Sequence, residues 1–472
     1  MKLTIVGGGG FRVPLVYGAL LAKRERLGLA EVVLHDLDAG RLERIGAVLR
    51  GLAAEHGDEL PFRTTTDLDD ALEGADHVFC AIRVGQLEGR VVDESVPLGL
   101  GVLGQETTGP GGICFALRTI PAMVELAQAI QRLAPDAWLI NFTNPAGMVT
   151  EAVQQVLGDR AVGICDSPSG LCRRVAAALG RDPGELWFDY FGLNHLGWLK
   201  GVRDGRRELL GDLLDDDAAL AGFEEGRLFG GEWLRSIGMV PNEYLYYFYY
   251  AVDTVNAIRE SPGSRGSFLL DQQAAFYARD DEDAAGALAA WRATRHDRER
   301  TYMAEARSAA GDPSEHAADD NGGYEREAMA VLEAMALNTR AVLILNTANR
   351  SSLPFLDGRA VIEVPAVVGR GGPVPLAAGE VPAHARALVE QMKDVERITI
   401  DAALTGSSAL AVKALALHPL VPSVSVARVA LLAWRGHGVE PHEREVDEGQ
   451  LAHREVDGHA GNASASRGRR AR

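Results

Sequence analysis

The stretch Lys2 to Gly10, KLTIVGGGG, decides the fold prediction, because a short β-branched apolar run breaks into four glycines. Residues 13–24, VPLVYGALLAKR, follow with an apolar stripe, so the pattern predicts a strand, a tight turn and a helix. In a dinucleotide fold, Gly7 and Gly9 would allow the tight turn and the close approach of a pyrophosphate. The third glycine of the usual fingerprint falls at Arg12, so a glycine-rich turn without a ligand stays an alternative.

Asp36 ends the second apolar run, EVVLHD, about thirty residues after the first strand begins. A carboxylate at this place accepts hydrogen bonds from ribose hydroxyls and repels a 2′-phosphate. Asp36 therefore favours NAD over NADP.

Apolar and helical runs alternate over about the first 190 residues, which predicts an α/β fold with a mostly parallel, doubly wound sheet. Further strands are predicted at 77–82, 137–144 and 161–166, and helices at 41–54, 115–133, 146–157 and 170–179. We predict a Rossmann-like NAD-binding domain at 1–195 and a mixed α+β domain at 196–435. The polar segment 280–312 reads as a helix, 313–324 as a loop and 436–472 as a disordered tail.

The composition limits the partners of this 472-residue chain. Its 48 Lys and Arg against 66 Asp and Glu give a net charge of -18, which disfavours nucleic acid and anionic membranes. No run approaches the roughly 18 apolar residues of a spanning helix, and the start lacks the features of a signal peptide. Four cysteines do not make a disulfide framework in so long a chain. We therefore expect a cytoplasmic protein with reduced thiols.

Cys165 and Asp166 close the predicted strand AVGICD, and His195 follows in FGLNHLGW. Strand carboxyl ends are where ligands bind in open α/β sheets, and a thiolate with an imidazole suits a divalent metal. Two ligands leave positions for substrate oxygens and water, as a catalytic site requires. The alternative for Cys165 is a buried, inert thiol.

Other polar residues have both a structural and a functional interpretation. Asn144, before Pro145, could simply cap the next helix, and Glu106 in GQETTGPGG could be a solvated acid. Arg83 and Arg90 could each hold an anion through two hydrogen bonds or lie at the surface. Most tyrosines of NEYLYYFYY are expected to pack in the core.

The ordered set of motifs resembles glycoside hydrolase family 4, most closely its 6-phospho-β-glucosidases. The resemblance covers roughly residues 1–435 and rests on IVGGGG, GQETTG, NFTNPAGMVTEA, GICDSPSG, GLNHLGW, NEYLYY, VIEVP and ALALHPLV. It implies a bound NAD and a divalent metal, usually manganese, acting on a small phosphorylated glucoside. The implied cycle oxidises C3, removes the C2 proton, expels the aglycone from C1, adds water and returns the hydride.

The resemblance also implies roles for single residues. Cys165 and His195 correspond to the metal ligands, Tyr244 to the base at C2 and Asp166 to the proton donor. Glu106 matches an acid thought to raise the basicity of that tyrosine.

Substrate and cofactor positions follow in the same way. Arg83, Arg90, Asn144 and, less closely, Arg265 are the implied substrate contacts. The dinucleotide would lie on the turn of Gly7, Gly9, Gly10 and Phe11 and on Asp36. Family members are dimers or tetramers, so a homodimer or homotetramer is expected.

Asp166 departs from the β-type pattern, because phospho-β-glucosidases often carry asparagine there and phospho-α-glucosidases aspartate. The following DSP and the four glycines favour the β type, and a 6-phospho-α-glucosidase stays an alternative. A second alternative is an NAD-dependent 2-hydroxy acid dehydrogenase, which would not need Cys165 as a ligand. A third is a catalytically silent NAD-binding sensor or scaffold.

Overall fold

The opening stretch forms the strand, turn and helix that its sequence predicts. In the computed structural model, the strand is Lys2–Val6 and the helix is Val13–Leu27. The structure describes residues 1–57, 60–261, 263–279, 283–301, 307, 310 and 323–438. The predicted loop within 313–322 and the predicted tail from residue 439 onward lie outside these residues.

The described residues form strands and helices throughout both halves of the chain. The strands are β1 Lys2–Val6, β2 Glu31–His35, β3 Phe62–Thr65, β4 His77–Cys80, β5 Trp138–Asn141, β6 Ala161–Gly163, β7 Trp187–Leu193, β8 Leu196–Asp204, β9 Arg207–Glu208, β10 Val240–Pro241, β11 Ala341–Ala348, β12 Val361–Gly369 and β13 Gly372–Pro375. The helices are α1 Val13–Leu27, α2 Ala39–His56, α3 Leu68–Leu72, α4 Gln86–Gly99, α5 Pro110–Leu133, α6 Ala146–Leu157, α7 Ser167–Ala178, α8 Leu210–Leu214, α9 Asp217–Ala221, α10 Glu224–Phe229, α11 Gly231–Ile237, α12 Tyr246–Tyr249, α13 Ala251–Glu260, α14 Arg265–Tyr277, α15 Ala284–Arg300, α16 Tyr324–Leu337, α17 Ala383–Thr405, α18 Ser408–Leu417 and α19 Val424–Gly436, with short 3₁₀ turns at Gly158–Arg160, Pro183–Glu185 and Glu243–Leu245.

A nine-stranded sheet in the order β13-β12-β11-β6-β5-β4-β1-β2-β3 confirms the α/β class. Strands β1 to β6 run parallel to one another, and β1 lies between β2 and β4. The order therefore reverses beside β1, and the crevice at the carboxyl ends there is where such sheets bind ligands.

The chain returns to this sheet late. Strands β11, β12 and β13 add to it antiparallel, and Asn346 of β11 pairs with Gly163 of β6. Residues 341–375 thus share a sheet with residues 2–163. The division at residue 195 stays a prediction, because the sheet draws on both sides of it.

A tight hairpin between β7 and β8 presents His195, which the sequence placed only after a short apolar run. Leu193 pairs with Leu196, so Asn194 and His195 form the turn. His195 has φ of 60°, in the left-handed region that few residues other than glycine adopt. The turn therefore fixes where the imidazole projects.

The strand that was expected to include Cys165 ends earlier. Strand β6 stops at Gly163, and α7 begins at Ser167 with a proline in its first turn. Proline suits the first turn of a helix, where no main-chain donor is needed. Cys165 and Asp166 consequently lie in the short connection between strand and helix.

Helix α5 modifies the expectation about apolar runs. Among the described residues, Pro110–Leu133 alone is long and apolar enough to span a membrane, and 78% of its apolar window is buried in the protein. It belongs to a core cluster with residues of β4, α6 and α17. Burial against these elements accounts for its composition.

Candidate active site

A cavity of about 810 Å³ opens at the carboxyl ends of the parallel strands, beside β1. This volume lies within the range of small-molecule sites. Of the residues predicted for the site, Gly9 alone does not line the cavity. Those that do are Gly7, Gly10, Phe11, Asp36, Arg83, Arg90, Glu106, Asn144, Cys165, Asp166, His195, Tyr244 and Arg265. The fold therefore gathers residues from both halves of the sequence around one space.

The glycine turn is shaped for close contact with a ligand. Gly7 has φ of 90°, and a β-carbon there would lie 2.6 Å from the carbonyl oxygen of Ala81. Its N–H and that of Gly8 donate to the carbonyl of His35, at 2.9 and 2.7 Å. The turn leads into the N-terminus of α1, which suits the pyrophosphate of a dinucleotide.

Two helices later in the chain, α14 and α15, hold this turn through hydrogen bonds that the sequence did not predict. The Tyr277 hydroxyl donates to the carbonyl of Gly9 at 2.8 Å, and the Trp291 indole donates to that of Phe11 at 2.8 Å. The Gly9 N–H donates to Asp36 Oδ2 at 3.0 Å. Gly9 therefore orients Asp36 instead of lining the cavity.

His195 is buried and lies flat against Tyr244. The ring centroids are 3.7 Å apart and the planes differ by 4°. Burial lowers the pKa of His195 to about 3, although the charge of Glu106 opposes it. A neutral imidazole keeps a nitrogen lone pair, which a metal ligand requires.

Cys165 is 5% exposed, and burial raises the pKa of its thiol well above the usual value, with Glu363 and Asp166 adding to the effect. A thiol in this setting needs a nearby cation to ionise. In the described part of the chain, no group of three or more His, Cys, Asp or Glu side chains could hold a metal ion. Cys165 and His195 would thus make an open site, completed by other oxygens.

Glu106 is not a solvated acid but the partner of two arginines. Arg90 Nη1 donates to Glu106 Oε1 at 2.7 Å, and Arg83 Nη2 donates to Glu106 Oε2. Burial favours a higher pKa for Glu106, but the two guanidinium groups outweigh it and lower the pKa to about 2. Glu106 is therefore ionised, and neither arginine is a surface residue of the kind considered as an alternative.

Positive charge is concentrated on one part of the cavity wall. Arg12, Arg90, Arg265 and Arg298 all line it. Burial and then the charges of Arg12, Arg265 and Arg90 lower the pKa of Arg298 well below its usual value, which places these cations near one another. Arg265 Nη2 also donates to the carbonyl oxygen of Arg298 at 2.6 Å.

Such an arginine cluster is suited to an anion, because guanidinium groups bind phosphate oxygens through paired hydrogen bonds. The sequence does not single out Arg298, because its polar segment, 280–312, predicts only a helix. Its nearest signal was the repeated arginine in TRHDRER.

Asn144 does not cap α6. The Ala146 N–H at the start of that helix is bonded to Asn194 Oδ1 at 3.1 Å instead. Asn144 lines the cavity, and its amide lies 3.5 Å from the carbonyl of Phe142, to which it donates. The position is therefore compatible with a substrate contact, which stays a prediction.

A buried carboxyl group is hydrogen-bonded to residues that lie close in sequence or in the sheet to the two candidate ligands. Glu363, which is 1% exposed, accepts hydrogen bonds from Tyr190 at 3.1 Å, Asn194 at 3.3 Å and Asn346 at 3.0 Å. Asn194 precedes His195, and Asn346 pairs with β6 just before Cys165. Glu363 thus joins both loops, although its motif, VIEVP, does not by itself indicate a role.

Comparisons with known proteins agree with this arrangement. Family 4 glycosyl hydrolases match residues 2–181, and the family 4 glycosyl hydrolase C-terminal domain matches residues 190–421. A 6-phospho-alpha-glucosidase of Leptotrichia buccalis is 30% identical over 450 residues, covering 91% of this chain and 96% of that protein. The 6-phospho-beta-glucosidase of Escherichia coli is 35% identical over 265 residues, covering 53% and 58%.

Two solved structures share the fold over nearly their whole length. A 6-phospho-alpha-glucosidase from gut microorganisms, in complex with NAD and Mn²⁺, is 26% identical with a TM-score of 0.78, over 93% of this chain and 99% of that one. The 6-phospho-beta-glucosidase of Thermotoga maritima, with NAD and glucose-6-phosphate, is 25% identical with a TM-score of 0.77, over 92% and 99%. The chain therefore belongs to glycosyl hydrolase family 4.

Proposed function

We propose that the protein hydrolyses 6-phospho-β-glucosides to glucose 6-phosphate and an aglycone. The observation that carries the proposal is one cavity that joins Cys165, His195, Asp166 and Tyr244 to an arginine cluster. The first four residues suit chemistry at a sugar ring, and the arginines suit a phosphate on that sugar. Relatives named for 6-phosphoglucosides support this class of substrate.

NAD and a divalent metal, most simply Mn²⁺, are the proposed cofactors. The glycine turn and Asp36 fit the pyrophosphate and the ribose of NAD. The neutral imidazole of His195 and the sulfur of Cys165 are a suitable donor pair for the metal. A related structure that holds both groups supports the assignment.

When bound, NAD would accept a hydride from C3 and return it once water has added at C1, and the metal would act as a Lewis acid on the oxygen at C3. Tyr244 then removes the proton at C2, with its ring held against His195. Asp166 donates a proton to the departing oxygen at C1. The arginine cluster binds the 6-phosphate, so that the sugar ring is oriented before these steps.

The choice of anomer is the finer part of the proposal. The residues DSP after Cys165 and the match to the Escherichia coli enzyme favour the β-glucoside. Asp166 and the match to the Leptotrichia buccalis enzyme favour the α-glucoside, which stays the second candidate. The described lining of the cavity supports neither the dehydrogenase nor the silent NAD-binding protein over the glucosidase.

The test measures release of p-nitrophenol from its 6-phosphorylated β- and α-glucosides, with and without NAD, Mn²⁺ and a thiol reductant. We expect hydrolysis of the β-compound that needs NAD and metal together. Hydrolysis of the α-compound alone would reverse the choice of anomer. Turnover of neither compound would contradict the proposal, as would equal activity on glucosides without phosphate.

Two further expectations accompany the proposal. We expect a homodimer or homotetramer, which light scattering of the purified protein measures directly. We also expect a cytoplasmic location, where the four buried free cysteines stay reduced, and cell fractionation tests it.

A further inference from the structure

The proposed acid and base come from segments far apart in the sequence, yet their next neighbours touch. Ser167, which follows Asp166, donates its hydroxyl to Oε1 of Glu243, which precedes Tyr244. The oxygens are 2.6 Å apart, and the two residues are 6% and 4% exposed. A hydrogen bond buried to this extent is protected from competition by water.

Each end of this contact is part of an anchored segment. Ser167 opens α7, and Glu243 opens the 3₁₀ turn that follows β10. Asn242, directly before Glu243, donates its main-chain N–H to the carbonyl of Gly197 at 2.9 Å and its amide to Tyr190 at 3.0 Å. The bond therefore ties the start of α7 to the sheet that carries His195.

A cation on α7 lies near Glu243, although burial raises the pKa of this carboxyl group to about 7. Arg174 Nη2 lies 3.9 Å from Glu243 Oε2, and Arg174 Nε donates to Glu225 at 3.0 Å. Replacing Glu243 would leave Arg174 with its Glu225 partner. A neutral variant at position 243 should therefore fold.

We propose that Ser167 and Glu243 are positioning residues that hold Asp166 and Tyr244 at a fixed separation across the substrate. The inference rests on the proposed roles of that acid and that base. A shift of either segment would move one reacting group relative to the other, and small displacements of such groups cost much rate. Both residues also line the cavity, but this effect acts through Asp166 and Tyr244 and does not require contact with the sugar.

One competing explanation is that Ser167 acts through the metal ligand. Its main-chain N–H and its hydroxyl also face the sulfur of Cys165. Changes at Glu243 do not remove that contact. A comparison of the two positions, with the metal affinity measured separately, distinguishes the explanations.

The test compares S167A, E243A and the double variant S167A/E243A with the wild type, and adds the conservative variants S167T and E243Q. For each protein, kcat and KM are measured on the 6-phosphoglucoside that the wild type hydrolyses, and the Mn²⁺ dissociation constant by electron paramagnetic resonance. The matched control is S407A. Ser407 is a half-buried N-cap of α18, whose hydroxyl oxygen accepts the Leu410 main-chain N–H at 3.3 Å, away from the cavity.

We expect S167A and E243A each to lower kcat roughly tenfold, the size of one lost hydrogen bond, with KM and the Mn²⁺ dissociation constant within about twofold of wild type. The double variant should lose no more than the worse single variant, because both break the same bond. S167T and E243Q should recover most of kcat, and S407A should lower only the melting temperature.

Three results would overturn the inference: unchanged kcat in the single variants, losses that multiply in the double variant, or a weaker Mn²⁺ affinity that accounts for the loss in S167A. A wild type without activity on either anomer would instead contradict the proposed function itself. The two failures are therefore distinguishable in one set of measurements.

Discussion

Acidification should destabilise the protein through His418, in the motif ALALHPLV. The side chain is 2% exposed, and burial lowers its pKa from the ordinary 6.5 to about 3. Nδ1 accepts the main-chain N–H of Leu420 at 3.1 Å, so the neutral ring carries its proton on Nε2. A second proton would have to displace this hydrogen bond.

The direction of the stability change follows from the pKa values of His418 in the folded and the unfolded chain. Between pH 6.5 and about 3 the unfolded chain binds a proton at His418 that the folded chain does not, so stability falls as the pH falls. At pH 5, 1.5 units below the unfolded pKa, the loss is about 2 kcal/mol at 1.36 kcal/mol per unit. At pH 7 the same group contributes almost nothing.

The assay is urea unfolding of the wild type and H418N at pH 7 and pH 5. Asparagine keeps an acceptor for the Leu420 N–H but does not titrate. The variant should be less stable than the wild type at both pH values because it leaves a small void. Its unfolding free energy should nevertheless fall by about 2 kcal/mol less than that of the wild type between pH 7 and pH 5. The control is H384N, whose residue is exposed and should leave the difference unchanged. Equal pH dependence in wild type and H418N would refute the reasoning.

Three other predictions concern the cavity. C165S and H195A should each raise the Mn²⁺ dissociation constant at least tenfold while NAD binding, followed by protein fluorescence, stays the same; unchanged Mn²⁺ affinity in both would contradict the ligand assignment. G7A should abolish NAD binding and lower the melting temperature, since its methyl group would lie 2.6 Å from the Ala81 carbonyl at a φ of 90°; calorimetry measures both. R298M should raise KM for a 6-phosphoglucoside roughly tenfold or more. An equal rise in KM in R295M, at a neighbouring cavity position, would show that the effect is not specific to Arg298.

The sequence predicted most of the parallel part of the fold because buried parallel strands are continuous apolar runs bounded by turns. It did not predict β3, none of whose residues is fully buried. Strands β1, β2, β4 and β5 lie within the predicted runs. It could not predict where β11–β13 join, because antiparallel pairing with a distant strand leaves no local pattern. The sequence predicts that the strand ending at Gly163 continues to Asp166, since Ile164 and Cys165 are as apolar as the strand itself.

The candidate site was predictable as a set of residue types but not as a set of contacts. The motif order led to Cys165, His195, Asp166 and Tyr244, which do line one cavity. Arg298 was missed because a polar helix usually faces solvent, and only the packing of α15 beside the glycine turn turns it inward. The bond between Ser167 and Glu243 joins positions 76 apart, a relation that no local spacing reveals.

The late return of the chain to its sheet has a consequence for synthesis. Until residues 341–348 have left the ribosome, β6 is an edge strand with unpaired main-chain groups, beside the connection that carries Cys165. An open edge of this kind invites pairing with other chains. The nascent protein is therefore most exposed to aggregation during the interval in which its N-terminal half already resembles a finished nucleotide-binding fold, and slowing translation between residues 164 and 340 should lower the soluble yield.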